Sequence, residues 1–284
     1  MKRIHFMSTS SVKNSEGTLN IFPWKDILKH VLPMILILSL FSCEKIIQLD
    51  LKNSTPKIVI QGNIYDQPGP FTIKISNSAY FDASNNYPPV TGAKVVITDN
   101  VNQTEQLTES TSGTYVTSKL RGIQGRIYSL SVKNGNDTYL ANSVMPYAVS
   151  IDSIYFANSL FSDEKVTMIR FRDPPFTTNY YRLVYFINNI KQKQFYVISD
   201  EFLQGATIFY SLQARNSNIK LAKNDLVTVW LESVDKGVYE YFRTAGNDDE
   251  NSASPSNPVS NISNDALGYF NASTIRKISA TVDK

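Results

Sequence analysis

The run Leu40-Phe41-Ser42-Cys43 holds the one side chain whose type and setting specify a covalent chemistry. Cys43 is the only cysteine, so no disulfide can close within the chain. It follows an apolar stretch, Val31 to Phe41, which is preceded by Lys25, Lys29 and His30. Positive charge, an apolar core, then a small residue and Cys is the layout of a lipoprotein signal peptide. The charges hold the start of the segment at the cytoplasmic face while the core partitions into the bilayer. Cleavage before Cys43 exposes a thiol and a new amino group, and acyl chains on them stay in the membrane. A transmembrane helix would need about 20 residues, and Pro33 interrupts this shorter run. A leader over residues 1–42 and lipid attachment at Cys43 are therefore expected.

The leader carries both histidines, His5 and His30. From Cys43 onward there is no histidine and, once acylated, no free thiol. Ser-His-Asp and Cys-His catalysis are excluded, as are His- or Cys-ligated zinc and His-ligated haem. Carboxylate, Lys or Tyr chemistry and oxygen-ligated Ca²⁺ remain. The segment Asn247-Asp248-Asp249-Glu250-Asn251 is rich in oxygen ligands but lacks the alternate spacing and Gly of an EF-hand loop, so it reads as a solvated loop. Asp152, Asp163 and Glu164 are acids of the kind that pair in glycosidases, with surface charge as the plainer reading. No metal, no cofactor and no enzymatic activity are expected.

The most suggestive binding residues are Tyr80, Phe81, Asp82 and Tyr87, on a loop that ends in Pro88-Pro89. Aromatics on a Pro-flanked loop give rigid contact area at low entropic cost, suiting a glycan or peptide ligand or a protein partner. The competing reading folds them back over the end of a sandwich.

Charge narrows the partners further. The chain has 28 Lys+Arg and 25 Asp+Glu. Setting aside Lys2, Arg3, Lys13, Lys25 and Lys29, with Glu16 and Asp26, leaves 23 of each sign after the leader. A neutral mature chain has no basic face for nucleic acid.

The elements that must position these residues are strands. The aromatic content, with 16 Tyr and 15 Phe, favours them. Residues 43–56 read as a tether. From Lys57 onward short alternating runs follow one another: Ile58-Val59-Ile60, Phe71 to Ser76 with Phe71, Ile73 and Ile75 inward, Ala93 to Asp99, Gly113 to Val116, Tyr128 to Val132 and Thr138 to Ala141. Asp66-Gln67-Pro68-Gly69-Pro70 and Asn134-Gly135 are turns. A second series starts at Ile151 and includes Val166 to Arg172, Tyr180 to Ile187 and Asp225 to Glu232, the last with Val227, Val229 and Leu231 on one face. The period then becomes helical, with Asp235 as N-cap and Val238, Tyr241 and Phe242 on one side. Leu267 to Phe270 and Ile275 to Ile278 are expected as strands of the second sheet. The expected fold is all-β: two consecutive β-sandwich (Ig-like) domains, residues 57–147 and 148–284, with one short helix near 235–244.

The order of Cys43-Glu44-Lys45, Ile58 to Ile64, Gly69 to Ser76, Pro89 to Asp99, Gly125 to Leu130, Ile151 to Ile154, Asn257 to Ile262 and Ala266 to Phe270 resembles the Bacteroidota lipoprotein family known as domain of unknown function 4249. The resemblance covers essentially the whole chain after the leader. It implies an outer-membrane lipoprotein that serves a TonB-dependent receptor as an accessory binding subunit, on either the periplasmic or the surface face. It implies no catalytic residues. Asp152-Ser153-Ile154 resembles the O-glycosylation acceptor of such bacteria, beside its plain reading as a strand start. A structural or adhesion lipoprotein is the second function reading, and a carboxylate-dependent hydrolase the third.

Overall fold

The computed structural model describes residues 56–78, 87–159, 164–213, 220–246 and 257–283. The first series of alternating runs forms β1 (Ile58–Tyr65), β2 (Thr72–Asn77), β3 (Lys94–Asp99), β4 (Thr104–Gln106), β5 (Thr108–Thr111), β6 (Thr114–Val116), β7 (Ile127–Asn134) and β8 (Asp137–Val144). The second forms β9 (Ile151–Asn158), β10 (Lys165–Arg172), β11 (Tyr180–Ile187), β12 (Ile190–Lys191), β13 (Tyr196–Ser199), β14 (Thr207–Ser211) and β15 (Leu226–Val234). Helix α1 (Lys236–Ala245) and the 15-residue strand β16 (Leu267–Thr281) close the chain.

Among the described residues these strands make two β-sandwiches with one helix. One long sheet, in the order β12-β11-β15-β16-β1-β2-β6-β5 with β13 also on β11, runs through both. The sheet β4-β3-β7-β8 faces its first half, and β14-β10-β9 faces its second. The first core gathers Ile60, Ile64, Phe71, Ile73 and Ile75 against Val95, Ile97, Tyr128, Leu130 and Val132. The second gathers Tyr181, Leu183, Tyr185, Val227, Val229 and Leu231 against Ile169, Phe171 and Ile208. Each set keeps the two-residue period of a strand with one buried face.

β16 departs from expectation. Leu267 to Phe270 was expected with the second sheet, but Leu267–Ser273 pairs in parallel with Val59–Tyr65 of β1. Thr274–Thr281 then pairs antiparallel with Leu226–Ser233 of β15. Its first half therefore gives Phe270 and Ala272 to the first core. Parallel pairing needs a long crossover, and here the rest of the fold supplies it. Two glycines permit this docking. Gly62 lies inside β1, and a Cβ there would stand 2.5 Å from Ile73 Cδ1 and 3.0 Å from Phe270 Cδ2. Gly268 has φ +98°, and a Cβ there would fall 2.0 Å from the Ile60 carbonyl oxygen.

Helix α1 forms where the period changed, with Asp235 Oδ1 accepting the Val238 N–H at 2.9 Å as N-cap. It buries Val238 and Phe242. Phe242 meets Tyr269 at 4.8 Å and Phe195 at 5.3 Å between ring centroids. Beneath it the buried Arg182 guanidinium lies 3.8 Å from the Phe242 ring centroid and pairs with buried Glu232 at 3.2 Å. Asp235 also reaches the first sandwich. Its Oδ2 accepts the Val144 N–H at 3.0 Å and the Ser143 hydroxyl, whose oxygen in turn accepts the Ala272 N–H at 2.9 Å.

Candidate functional site

Where the two sandwiches meet, an open cleft of about 580 Å³ is lined by Asp66, Gln67, Gln124, Ile275, Arg276 and Lys277. Its volume falls in the range of small-ligand sites, and a junction between domains is a common place for one. Asp66 follows directly on β1. Its Oδ1 accepts the Ile275 N–H at 2.9 Å, and its Oδ2 accepts Arg276 Nη1 at 2.8 Å and Gln124 Nε2 at 2.9 Å. Gln124 Oε1 accepts the Ala148 N–H at 3.1 Å, which ties in the segment between the sandwiches. One carboxylate thus joins the end of β1, the loop before β7, the inter-sandwich segment and β16.

Burial alone would push the Asp66 carboxyl up. Hydrogen bonds from Arg276, the Ile275 N–H and Gln67, with the guanidinium charge, outweigh it and hold Asp66 below the usual carboxylate range. Asp66 is therefore an anionic strut and not a proton donor near neutral pH. Among the described residues it is also the one carboxylate lining the cleft. Arg276 spends Nη1 on Asp66 and on the Ile275 carbonyl at 2.6 Å. Its Nε and Nη2 have no partner among the described residues. Lys277 Nζ sits 4.0 Å from the Trp230 ring centroid, and Trp230 lies 4.8 Å from Phe186. Further along the β15–β16 ladder Ser233 pairs with Thr274, and Ser233 Oγ and Thr274 Oγ1 are buried without a partner among the described residues. The lining offers the Arg276 guanidinium and the carboxamides of Gln67 and Gln124. Those groups suit a small polar or carboxylate-bearing ligand.

Of the residues singled out from sequence, the described ones, Tyr87, Asp152 and Glu164, do not line this cleft. Cys43, Tyr80, Phe81 and Asp82 lie outside the described residues, as do Asp163 and the 247–251 segment. Tyr87 is described and is 55% exposed beside Pro88, whose carbonyl accepts the Asn77 N–H at 2.8 Å. Asp152 pairs with Arg170 at 3.5 Å and Glu164 with Lys220 at 3.1 Å. The β9–β10 register sets Arg170 against Ser153 and Lys165 against Asn158, so these two acids stand at opposite ends of the strand pair and form no carboxylate pair. Ser153 is an ordinary internal residue of β9. Among the described residues no helix is long and apolar enough to cross a membrane, and no cluster of acidic, His or Cys ligands gathers around a point. Sequence reading missed Asp66 and Arg276 because they are 210 residues apart. The Asp66 turn itself was visible.

Residues 44–279 match a protein family described as "Domain of unknown function (DUF4249)". The chain belongs to that family. No curated protein matches it significantly. Among solved structures, a two-domain fibronectin type III segment from chicken tenascin aligns with 81% of this chain and 100% of its own length, at 12% identity and a TM-score of 0.23. The DUF4249 match spans the whole Asp66–Arg276 cleft.

Proposed function

We propose that this protein is a lipid-anchored lipoprotein of the outer membrane that binds a small polar ligand, of glycan or peptide character, as accessory to a TonB-dependent receptor. The observation that carries binding is the junction cleft, where Asp66 holds four segments together and the Arg276 guanidinium keeps Nε and Nη2 without a partner among the described residues. Anchoring rests on the signal-like run ending at Cys43, and the family match beginning at residue 44 agrees with a mature chain that starts there. The receptor role rests on the family resemblance. A structural or adhesion role is the second reading, supported by two sandwiches stiffened through a shared strand.

Purification of the native protein from detergent-solubilised outer membranes tests the proposal. Mass spectrometry of the N-terminal peptide should find acylated Cys43, and a stoichiometric barrel receptor should accompany it. Native mass spectrometry should find a bound small molecule that is lost in Arg276→Gln. Repeated absence of both receptor and ligand leaves the spacer reading. An unacylated soluble product removes the anchor.

A further inference from the structure

The Arg276 guanidinium is held at one end and open along one edge. Nη1 spends both of its hydrogens, on Asp66 Oδ2 at 2.8 Å and on the Ile275 carbonyl at 2.6 Å. Those two bonds fix where the group lies and the plane it lies in. The Nε–H and one N–H of Nη2 leave together from the edge away from Nη1, and neither has a partner among the described residues. Through that edge an arginine can grip a carboxylate with two parallel bonds. Arg276 lines the cleft and its side chain is 35% exposed, so a ligand in the cleft can reach the edge.

The lining is rich in open donors and poor in open acceptors. Asp66 does not compete for the free edge, because its oxygens are already occupied. Oδ1 accepts the Ile275 N–H at 2.9 Å and Gln67 Nε2 at 3.4 Å, while Oδ2 accepts Arg276 Nη1 and Gln124 Nε2. Gln124 Oε1 is taken by the Ala148 N–H at 3.1 Å. An ionised carboxylate can only accept, so these bonds also set which way both carboxamides face. Lys277 Nζ lies over the Trp230 ring. The side-chain groups left open are then Nε and Nη2 of Arg276, one N–H each on Gln124 and Gln67, and a single acceptor, Gln67 Oε1. A neutral hydroxyl or amide brings donors of its own, and this lining has little to receive them. A carboxylate brings acceptors alone. The charges agree, since among the described residues the lining sets Asp66 against both Arg276 and Lys277.

We propose that the junction cleft recognises a carboxylate group, gripped by the Nε and Nη2 edge of Arg276. The proposal rests on the reading of the cleft as a binding site and names the chemistry of its ligand. Two sources carry such a group: the free C-terminus of a short peptide and an acidic sugar such as a uronate. Both present the same planar pair of acceptors to the edge, and the rest of either molecule takes the remaining space of the cleft.

The test uses the full chain as purified, with or without acyl groups, and isotope-labelled arginine. Calorimetry and the Arg276 Nε–H resonance, assigned by its loss in Arg276→Lys, follow titration with two probe pairs. One pair is triglycine and its C-terminal amide, and the other is glucuronate and glucuronamide. At least one acid should bind about tenfold more tightly than its neutral counterpart and shift the Nε–H resonance, and the pair that does so identifies the source. Arg276→Lys keeps a cation without the paired edge and should lose about tenfold in affinity for that acid. Gln67→Glu changes an exposed residue, so the fold is kept, and its added anion should weaken the acid by about tenfold at low salt and by less at high salt. Equal affinity for acid and neutral probe overturns the proposal. So does an unmoved Nε–H resonance during acid binding, or unchanged affinity in both variants. Failure of both acids to bind overturns it too. In that case a copurifying molecule without a carboxylate, lost in Arg276→Gln, keeps the binding reading of the cleft, and the absence of any such molecule removes that reading as well.

Discussion

Asp235→Ala should break the clamp that unites helix α1 with the first sandwich. The carboxylate does two jobs at once: Oδ1 caps the helix at Val238, while Oδ2 holds Ser143 and the Val144 N–H. Losing an N-cap costs about 1 kcal/mol. Losing a charge-assisted bond to the part-buried Ser143 adds about 1.5 kcal/mol, and the exposed Val144 N–H adds little because water replaces its partner. The sum is about 2.5 kcal/mol, which for a chain of this size lowers Tm by roughly 5–10 °C. Asp235→Asn keeps one acceptor oxygen and should lose about half as much. The assay is thermal and urea unfolding followed by circular dichroism, with a double-mutant cycle against Ser143→Ala. Because the Ser143 oxygen also serves Ala272 of β16, the two sites should couple by about 1 kcal/mol or more. Additivity within about 0.5 kcal/mol would refute the clamp.

Other expectations follow from the same structure. Gly268→Ala should cost more than about 4 kcal/mol, since positive φ and a 2.0 Å approach to Ile60 O act together, whereas Gly135→Ala at φ +60° in open space should cost about 1 kcal/mol; similar melting temperatures for the two variants would sink this account. Arg182→Ala strands the buried Glu232 and should cost about 3–5 kcal/mol, while Arg182→Met with Glu232→Leu should cost distinctly less, as urea midpoints will show. Asp66 has a folded pKa below its unfolded value, so its contribution is full above about pH 4 and is lost as pH falls through the folded pKa; Asp66→Asn should flatten that acid limb of the stability curve. Asp200 is the reverse case, because burial first and the nearby Asp173 charge push its carboxyl up. Its contribution is full below the unfolded value and is lost as pH rises through the folded one, and Asp200→Asn should remove this decline.

Much of the fold was legible because strand period and turn chemistry are local. Phe71, Ile73 and Ile75 alternate in sequence and are buried together, and Val227, Val229 and Leu231 do the same. Asp235 was readable as an N-cap because a cap is defined by its next three residues. Gly62 sits within β1, close under Ile73 and Phe270, a packing that no local pattern announces. The cleft was hidden for a different reason. Its Asp66 and Arg276 touch only because β16 docks beside β1, and no local pattern encodes a partner so distant in sequence. The exposure of Phe176 and Phe202 is a property of the assembled surface, which sequence does not carry.

The sequence alone determined the chemistry available to this protein. It placed both histidines ahead of a single cysteine, left a neutral chain beyond it, and supplied strand-forming residues in alternating runs. Those are properties of composition and short-range order, which survive in any fold. Tertiary structure decided where that chemistry is gathered. A 15-residue strand long enough to serve both sandwiches joined them and set Asp66 against Arg276, and the packed loops left Phe176 and Phe202 exposed. Strand pairing between distant segments depends on which faces complement one another once packed, and that choice is made only in three dimensions.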